Sequence, residues 1–394
     1  MKKVVIVGGG GHVGLPLALV MADSGFEAVS LDISSEKVKL INSGIMPFVE
    51  VGAQDLLKKT LADKSFYATT DHTVIASADV LVVVIGTPVD EHLNPDPNAV
   101  VSAVSQCLPY MNSEQLVILR STVFPGVTER VKSLLAESNL FPEVTFCPER
   151  ILEGHALKEL RELPQIIGTS SQKGADRASE IFTELGVKTI VVSYQEAELA
   201  KLFTNVWRYI KFAAANQFWL MSNEAGLDFS RIRNTIIFDY PRASDLPNAG
   251  FTAGPCLFKD TMQLAAFSNN NFALGHSAMQ INEGLPLYVV SKLQEKYDLS
   301  KLTIGILGAA FKAESDDIRS SLSYKLKKIL QFKAKEVYMS DPYVTVDPNL
   351  VTLEQLILDS DLLIIASPHS IYRTLDTNKP IIDVWNLLGY GNLI

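Results

Sequence analysis

Cysteine is scarce in this sequence: Cys107, Cys147 and Cys256 are the three thiols among 394 residues. They form no CxxC pair, and an odd number leaves at least one thiol outside any disulfide. This scarcity excludes a small disulfide-stabilised scaffold and is typical of proteins from a reducing compartment. We therefore expect a cytoplasmic protein.

Positive charge and long apolar runs are also lacking. Lys and Arg number 35 against 44 Asp and Glu, and the net charge of −9 disfavours general binding to nucleic acid or to an anionic membrane. No stretch reaches the roughly 18 consecutive apolar residues of a membrane-spanning helix, and the four glycines at residues 8–11 would interrupt an N-terminal targeting helix. We expect no nucleic acid and no membrane among the partners.

The sequence does have enough chain for more than one packed core, with 47% hydrophobic residues. Over residues 1–194, short β-branched runs alternate with apolar residues at helical spacing. Because these runs are apolar without interruption, they are typical of strands buried on both faces. The predicted strands cover 3–7, 28–31, 80–85, 116–119, 144–146, 165–168 and 189–192. They predict a doubly wound parallel sheet.

The pattern changes at Gln195. Residues 195–225 contain no glycine or proline and keep helical spacing, which predicts one long helix. Helical character continues to about residue 296, apart from a loop at 239–255 that is rich in Pro, Asn and Gly. Strands return at 302–308, 336–340, 362–366 and 380–384. We predict two Rossmann-like doubly wound α/β domains, residues 1–194 and 300–394, joined by an all-helical central domain, residues 195–299, with a long connecting helix.

A glycine-rich turn follows the first predicted strand and opens a helix. Gly9, Gly11 and Gly14 fit the GxGxxG pattern, whose glycines permit a tight turn, backbone approach to a pyrophosphate, and close packing of helix on strand. Asp32 ends the second strand, where its carboxylate accepts from both ribose hydroxyls and would repel a 2′-phosphate. No Arg or Lys follows within residues 33–35, so the sequence predicts NAD rather than NADP.

His12 and Val13 lie inside this turn, and we interpret them as residues that line the cofactor site. The other histidines show no acid–base or metal-ligand pairing. No His/Cys/Asp cluster has ligand spacing, so we expect no metal ion.

Cys256 stands apart from Cys107 and Cys147, which lie among apolar residues and are interpreted as core. Local sequence leaves two alternatives for Cys256: a buried small hydrophobic residue, or a helix N-terminus whose dipole lowers the thiol pKa and makes a nucleophile. In the second case Asp260, four residues on, shares its helix face. A nucleophilic thiol beside a dinucleotide site indicates oxidation through a thiohemiacetal, because an aldehyde must become tetrahedral before it gives up a second hydride.

Seven short motifs then occur in one order along nearly the whole chain. They lie at residues 11–16 (GHVGLP), 86–88 (GTP), 121–126 (STVFPG), 147–154 (CPERILEG), 201–205 (KLFTN), 253–260 (AGPCLFKD) and 311–319 (FKAESDDIR). Together they resemble the UDP-glucose/GDP-mannose dehydrogenase family, the nucleotide-sugar 6-dehydrogenases. The resemblance implies oxidation of the C6 alcohol of a UDP-sugar to a carboxylate with reduction of two NAD. It also implies three domains in the predicted order and a homodimer built through the long helix.

By this resemblance, Cys256 is the nucleophile that forms the thiohemiacetal and then the thioester. Lys201 and Asn205, four residues apart on the long helix, stabilise the C6 alkoxide together with an ordered water. Asp260 holds that water.

The resemblance also assigns residues around the sugar, the cofactor and the nucleotide. Glu149 and Glu153 lie where the family keeps carboxylates near the sugar, and one of them aids thioester hydrolysis. Thr122 binds near the reactive carbon and the nicotinamide. The remaining assignments are Gly86, Thr87 and Pro88 for the cofactor, and Lys312, Arg319 and Arg242 for the diphosphate and uridine, with Arg242 donated across the dimer.

Local pairing or solvation is the alternative for most of these assignments. Lys201 and Asn205 could lie on a solvated helix face, and Thr122 could cap a helix. Glu149 and Glu153 could pair with Arg150 and Lys158. Lys312 and Arg319 could pair with Asp316 and Asp317.

Ala253, Phe258 and His12 depart from the Gly, Pro and Tyr that are usual in the family, which bears on the sugar more than on the thiol chemistry. Residues 14–16 together with 148–150 are more similar to the UDP-N-acetylhexosamine branch, whereas residues 153–154, 255–256 and 259–260 are more similar to the UDP-glucose branch. We expect an NAD-dependent four-electron 6-dehydrogenase, with a UDP-N-acetylhexosamine favoured over UDP-glucose and surface polysaccharide as the usual fate of the product. The alternatives are a two-electron NAD-dependent dehydrogenase on the same scaffold and a nucleotide-binding protein with a decayed catalytic site.

Overall fold

The computed structural model describes residues 2–87, 89–90, 95–252 and 254–394. The chain divides into two compact units, Met1–Thr204 and Asn205–Ile394. Each unit contains one sheet with its own helices. Among the described residues, no helix combines the length and the hydropathy that crossing a membrane requires.

The first unit is built on an eight-stranded sheet. Its strands are β1 (Lys3–Val7), β2 (Glu27–Leu31), β3 (Phe66–Thr69), β4 (Val80–Val83), β5 (Leu116–Leu119), β6 (Glu143–Phe146), β7 (Gln165–Gly168) and β8 (Thr189–Val192). Their order across the sheet is β3-β2-β1-β4-β5-β6-β7-β8. The order reverses direction at β1, and ligands of open α/β sheets bind at the carboxyl ends of the strands beside such a switch point.

Helices cover both faces of this sheet. They are α1 (Gly14–Asp23), α2 (Ser35–Asn42), α3 (Ala53–Ala62), α4 (Ala99–Cys107), α5 (Val127–Glu137), α6 (Ala156–Glu162), α7 (Gln172–Glu184) and the start of α8 (Tyr194–Glu224). Val4 and Ile6 of β1 face one apolar cluster, while Val5 between them faces another. Burial on both faces is therefore the reason that the strand sequences are apolar without alternation.

Two details of this sheet differ from the sequence prediction. β3 was not predicted, because it is a four-residue edge strand whose burial alternates and which therefore has no continuous apolar run. The prediction of a wholly parallel sheet is wrong at one pair, since β6 and β7 are antiparallel at Phe146 and Gly168. An uninterrupted apolar run reports burial on two faces and carries no information on strand direction.

The second unit contains a four-stranded parallel sheet of order β10-β9-β11-β12. Its strands are β9 (Thr303–Leu307), β10 (Glu336–Ser340), β11 (Leu362–Ile365) and β12 (Ile381–Ile382). Its helices are the rest of α8, α9 (Phe229–Ile237), α10 (Leu257–Phe267), α11 (Ala273–Lys296), α12 (Leu322–Gln331) and α13 (Leu353–Asp359). Short 3₁₀ turns lie at His72–Ser77, Leu108–Tyr110, Pro241–Ala243, Leu299–Lys301 and Ser370–Thr374.

Helices and sheet share one core in this second unit. Trp219 of α8, Leu285 of α11 and Ile304 of β9 belong to the same buried apolar cluster. The boundary predicted at residues 299–300 therefore separates two parts of one compact unit. The long helix predicted over 195–225 is confirmed, with bounds one residue earlier at each end.

Candidate functional site

The glycine turn after β1 brings the backbone close to itself. Gly8 N and Gly9 N both donate to Leu31 O, at 2.9 and 3.1 Å. A Cβ on Gly14 would lie 2.5 Å from Gly8 O, a distance that real Cβ atoms essentially never show. Glycine at position 14 is therefore what lets α1 begin against the turn, as its predicted packing role requires.

Asp32 follows β2 beside this turn. Its Oδ2 accepts from Gly10 N and its Oδ1 from Ser34 N, both at 2.9 Å. The side chain is partly exposed, and each carboxylate oxygen has a second acceptor position. Asp32 can therefore receive the ribose hydroxyls of a dinucleotide while it stays fixed by the backbone.

The start of α1 is suited to a pyrophosphate. Its N-cap residue, Val13, gives the first helical N–H groups no side-chain acceptor, and such groups bind phosphate oxygens. A Cβ on Gly11 would meet Gly8 O at 3.5 Å, an ordinary contact, so packing within the protein does not require glycine there. The turn, the helix start and Asp32 together fit NAD.

His12 projects from the same turn onto the loop between α2 and α3. Its ring stacks on Phe48 with centroids 4.1 Å apart and planes inclined by 28°. This placement keeps His12 beside the glycines, in agreement with its interpretation as a lining residue.

The segments after β4 and β5 are tied together by side-chain hydrogen bonds. Thr87 Oγ1 donates to Thr122 O at 2.7 Å, and Ile85 N donates to Ser121 Oγ at 2.8 Å. Because β4 and β5 are parallel neighbours, their carboxyl ends meet beside the switch point. The structure thus brings Thr87 and Thr122 together, with exposed Gly86 next in the chain. Pro88, also predicted to bind the cofactor, lies outside the described residues.

Glu149 is held by a buried arginine that the sequence prediction did not include. Glu149 Oε2 forms an ion pair with Arg120, which also donates to Gln165 Oε1 at 2.8 Å. Glu149 Oε1 accepts from Arg150 N and Ile151 N at 2.7 and 2.9 Å. Burial raises the pKa of Glu149. The charge and hydrogen bond of Arg120 and the two backbone N–H groups lower this pKa by more than burial raises it, so it lies below its ordinary value. Glu149 is therefore a fixed anion.

A second carboxylate, Glu50, supports the loop that carries Glu153. Gly154 N donates to Glu50 Oε2 at 2.8 Å, and Gly154 itself has a left-handed φ of +86°. Glu50 is buried, and its burial raises the pKa of this carboxyl despite the hydrogen bond from Gly154. Glu153 is partly buried immediately before this glycine.

On α8, Lys201 is buried one turn after the fully buried Glu198. Glu198 accepts from Gly126 N at 2.7 Å and from Thr128 N and Oγ1 at 3.0 and 2.5 Å. Gly126 is the N-cap of α5 and has no side chain with which to cap it. Glu198 therefore fixes the start of α5, and with it the segment that carries Thr122, against the turn of α8 that carries Lys201.

Asn205 and Asp260 form a buried pair in the second unit. Asn205 Nδ2 donates to Asp260 Oδ2 at 2.5 Å, and Lys259 Nζ lies 3.3 Å from Asp260 Oδ1. Asp260 has no exposed surface and Asn205 has 4%. Because Asn205 is four residues after Lys201 on α8, it occupies the same helix face. The solvated face that was the alternative for this pair is therefore wrong.

Cys256 is the N-cap residue of α10 and is exposed. Asp260 N donates to Cys256 O at 2.9 Å, which closes the first turn of the helix. The alternative of a buried small hydrophobic residue is therefore wrong for Cys256. Cys107 and Cys147 are buried as predicted, and burial raises their thiol pKa values to about 11 and about 12.

The loop before Cys256 packs on the segment after β9. Gly254 has a φ of +107°, and a Cβ there would lie 2.6 Å from the Phe311 ring. Lys312, the next residue, places Nζ 5.7 Å from the centroid of the same ring. The loop before Cys256, whose nucleophilic role is a prediction, and the predicted nucleotide-binding segment are therefore neighbours within the second unit.

The two predicted nucleotide-binding arginines lie in different settings. Arg319 forms a bidentate pair with Asp317, with Nε 2.9 Å from Oδ1 and Nη2 2.5 Å from Oδ2. This ion pair with Asp317 is the alternative that the sequence left open for Arg319. A role of Arg319 in substrate binding stays a prediction. Arg242 lies exposed in a 3₁₀ turn, with its guanidinium 5.7 Å from the Tyr240 ring centroid.

Three supporting residues were missed by the sequence analysis: Arg120, Glu50 and Glu198. Glu198 carried a usable signal, because residues 198, 201 and 205 share one face of a predicted helix. Arg120 follows an uninterrupted apolar strand directly, which is an unusual place for a charge that stays solvated. Glu50 carried no such signal.

The chain matches the three domains of one known protein family. Residues 2–186 match the NAD binding domain, residues 195–284 the central domain and residues 305–390 the UDP binding domain of UDP-glucose/GDP-mannose dehydrogenases. The chain belongs to the UDP-glucose/GDP-mannose dehydrogenase family. It is thus an oxidoreductase, an NAD-dependent UDP-sugar dehydrogenase, and the NAD prediction is confirmed.

Individual relatives and solved structures resemble it over nearly their full lengths. The UDP-N-acetyl-D-mannosamine dehydrogenase of Methanococcus vannielii is 30% identical over 99% of this chain and 94% of its own. The structure of the UDP-D-ManNAc dehydrogenase of Pyrococcus horikoshii superposes with a TM-score of 0.91 at 28% identity, covering 98% and 96% of the two chains. That of a UDP-glucose dehydrogenase from Pyrobaculum islandicum also gives 0.91, at 25% identity over 98% and 94%. The predicted fold class is confirmed.

Proposed function

We propose that this protein oxidises the C6 alcohol of a UDP-sugar to a carboxylate by four electrons, through a thioester on Cys256. The observation that carries the proposal is the placement of Cys256. It is an exposed thiol at the start of α10, and the same helix buries Asp260 against Asn205 one turn later. A helix N-terminus favours the thiolate, which is the nucleophilic form of cysteine.

The first half of the reaction needs a group that stabilises negative charge on the C6 oxygen. Lys201 and Asn205 serve this purpose, because they share a helix face and supply a cation and an amide donor. Asp260 orients Asn205 by accepting from its Nδ2 at 2.5 Å, and it holds the ordered water beside them. NAD, held by the glycine turn and Asp32, would supply the hydride acceptor for both oxidations.

The second half depends on the thiol. Cys256 Sγ bonds to the aldehyde carbon while the thiol proton passes to the C6 oxygen, which gives a thiohemiacetal. Loss of the second hydride from C6 and of the proton from its oxygen leaves a thioester. Water then bonds to C6 as the C–S bond breaks, which releases the carboxylate and returns a proton to sulfur.

Glu153 is the carboxylate that we assign to the hydrolysis. Both oxygens of Glu149 already accept hydrogen bonds, from Arg120 on one side and from two backbone N–H groups on the other. Glu149 therefore serves to hold the 149–151 backbone in place near the sugar. Glu153 is the other carboxylate that the resemblance places near the sugar, on the loop that Glu50 supports, and we assign to it the orientation of the attacking water.

A UDP-N-acetylhexosamine is the substrate that we propose, with UDP-glucose next. The resemblance at residues 148–150 supports it, as does the name of the Methanococcus vannielii relative, a UDP-N-acetyl-D-mannosamine dehydrogenase. UDP, rather than GDP, is supported by the match of residues 305–390 to a UDP binding domain.

We further propose a homodimer through α8. Trp207, Phe218 and Met221 lie on one face of this helix, because they are separated by near-multiples of the helical repeat. Their exposed fractions are 57%, 46% and 61%. Such a stripe on a long helix suits a second copy of itself, since a two-fold axis would pair the same apolar face with its equal.

The decisive measurement is the number of NADH molecules formed per sugar consumed. We expect two NADH per sugar on one member of a panel of UDP-glucose, UDP-galactose, three UDP-N-acetylhexosamines and GDP-mannose. Cys256→Ser should lose net turnover or stop after the first oxidation, because its hydroxyl cannot form a thioester. Cys107→Ser, which changes a buried thiol on α4, is the matched control and should keep the ratio of two.

Other outcomes would contradict specific parts of the proposal. One NADH per sugar in the unchanged protein would mean an ordinary alcohol dehydrogenase. A ratio of two in the Cys256→Ser variant would remove the covalent step. NAD binding without turnover on the whole panel would indicate a decayed catalytic site.

A further inference from the structure

The second sheet carries an acidic residue in the position that Asp32 occupies in the first. Asp341 follows β10, which lies beside the first strand of its sheet, as β2 lies beside β1. Asp341 Oδ2 accepts from Ala309 N and Ala310 N at 2.7 and 3.0 Å, just after β9. Gly10 N, just after β1, makes the corresponding bond to Asp32.

The two carboxylates differ in what remains available to a ligand. Asp341 has a fully buried side chain, and its Oδ1 accepts from Tyr343 N and Val344 N at 2.8 and 3.1 Å. Its Oδ2 lies a further 3.0 Å from His369 Nε2. Five hydrogen bonds fill its acceptor positions. Asp341 therefore has no capacity for ribose hydroxyls, whereas partly exposed Asp32 receives only two backbone bonds.

The proton on His369 is fixed by its neighbours. Glu314 N donates to His369 Nδ1 at 3.0 Å, so Nδ1 carries a lone pair and the ring proton sits on Nε2. His369 Nε2 then donates to Asp341 Oδ2. The pKa of Asp341 is raised by burial, but it is lowered by more through His369 and the backbone donors. The pair is thus a neutral imidazole hydrogen-bonded to a buried anion.

These bonds hold residues 309–314, the segment after β9, at both of its ends. Asp341 binds the first two N–H groups and His369 binds the last one. The Glu314 side chain adds two more bonds, from Tyr343 Oη and from Ser370 N, the latter at 2.6 Å. Glu314 has a left-handed φ of +53°, so these contacts stabilise a conformation that a glutamate rarely adopts.

The residues between the two ends include Lys312, which is predicted to bind the nucleotide. Phe311 packs against Gly254, two residues before Cys256, and Lys312 follows it. Asp341 and His369 act on this segment through its backbone, since they bind the N–H groups of Ala309, Ala310 and Glu314.

We propose that His369 and Asp341 are positioning residues for the substrate nucleotide. By pinning the 309–314 segment, they hold Lys312 in place for a nucleoside diphosphate and hold Phe311 in place against the nucleophile loop. By filling Asp341, they also remove the acceptor that would make this sheet a second dinucleotide site. The inference rests on the proposed function, in which the second unit binds UDP.

UDP binding to the full-length protein tests this inference. We expect His369→Ala to weaken UDP affinity at least tenfold, measured by calorimetry, while NAD affinity stays within twofold because NAD belongs to the first unit. His369→Gln is the conservative variant: its amide can accept and donate at similar positions, and it should restore most of the UDP affinity. In turnover assays, KM for the UDP-sugar should rise more than kcat falls.

Asp341→Asn has a matched control in Asp361→Asn. Asp361 also binds a backbone N–H of the same sheet, that of Thr303 at 2.8 Å, but it does so at the opposite, amino end of β9. We expect Asp341→Asn to weaken UDP binding and Asp361→Asn to leave it unchanged. Hydrogen exchange should show the amides of residues 309–314 exchanging faster in Asp341→Asn and His369→Ala than in the unchanged protein.

The results separate this inference from the proposed function. No UDP binding by the unchanged protein would overturn both. Normal UDP binding by the unchanged protein and equal affinity in a folded His369→Ala or Asp341→Asn variant would overturn the inference alone. If His369→Ala does not fold, the same conclusion is drawn from Asp341→Asn: equal UDP affinity together with faster exchange in the 309–314 segment would show that the segment's position does not matter for the nucleotide.

Discussion

Single carboxylates in this protein owe their properties to their partners. Glu149 and Glu50 are both largely removed from water, yet the pKa of the first is lowered and that of the second is raised. Glu149 has the Arg120 guanidinium beside it, whereas the hydrogen bonds that lower the pKa of Glu50 come from the neutral backbone N–H groups of Gly154, Ala156 and Leu157. The cation offsets the cost of burying the Glu149 charge, and the backbone groups around Glu50 do not offset the cost of burying its charge.

Replacing Glu50 with glutamine tests this difference through the pH dependence of stability. The pKa of Glu50 in the folded protein lies above its value in the unfolded chain. The unfolded chain therefore binds the Glu50 proton less tightly than the folded protein does. Glu50 therefore contributes stability below its unfolded pKa and loses it as pH rises through the folded pKa. Glutamine keeps an acceptor for Gly154 N but does not ionise. The unfolding free energy of Glu50→Gln, relative to the unchanged protein, should rise between pH 4 and pH 8 in urea titrations.

Glu137→Gln, at an exposed position on α5, is the control and should show a flat difference over the same range. A flat difference for Glu50→Gln as well would mean that the folded environment does not disfavour the charged form of Glu50.

At the scale of elements, Glu198 is the buried side chain of α8 that binds the start of α5. Helix N-termini leave N–H groups without partners, and the N-cap of α5 is a glycine. Glu198 supplies the missing acceptor from another helix, with three hydrogen bonds. The bond that caps α5 is thus also the bond that sets Lys201 relative to Thr122.

Glu198→Ala should destabilise the protein by about 2–3 kcal/mol, since it leaves buried donors without an acceptor. Thr128→Val removes only the hydroxyl bond and should cost about 1 kcal/mol. Urea unfolding of both variants provides the measurement. An equal cost for the two would show that the backbone donors of Gly126 and Thr128 find another acceptor when Glu198 is absent.

For the whole molecule, association through α8 can be tested by sedimentation over a range of concentrations. The unchanged protein should have twice the mass of one chain. Trp207→Glu places a charge on the apolar face and should shift the equilibrium to monomers. Phe332→Glu changes a side chain that is 88% exposed at the end of α12 and should leave the dimer intact. Monomers in the unchanged protein, or dimers in Trp207→Glu, would exclude this interface.

Much of the fold was predictable because it depends on local patterns. Strands such as β4 and β5 are buried on both faces, so their sequences are apolar throughout and stand out from their surroundings. α8 was predictable because its thirty-one residues keep helical spacing without interruption. The sequence did not predict β3, because an edge strand is only half buried. It did not predict the direction of β7, because an apolar run does not encode strand direction.

The sequence by itself determined the residues whose chemistry depends on near neighbours: the glycine turn, Asp32 at a strand end and the 201–205 spacing. It left two alternatives for Cys256, and the structure decided for the exposed helix start. Tertiary structure alone decided which groups support them. Glu149 meets Arg120 across 29 residues, Gly154 meets Glu50 across 104, and His369 meets Asp341 across 28. These partners are brought together by the packing of whole elements, and no local pattern records that packing.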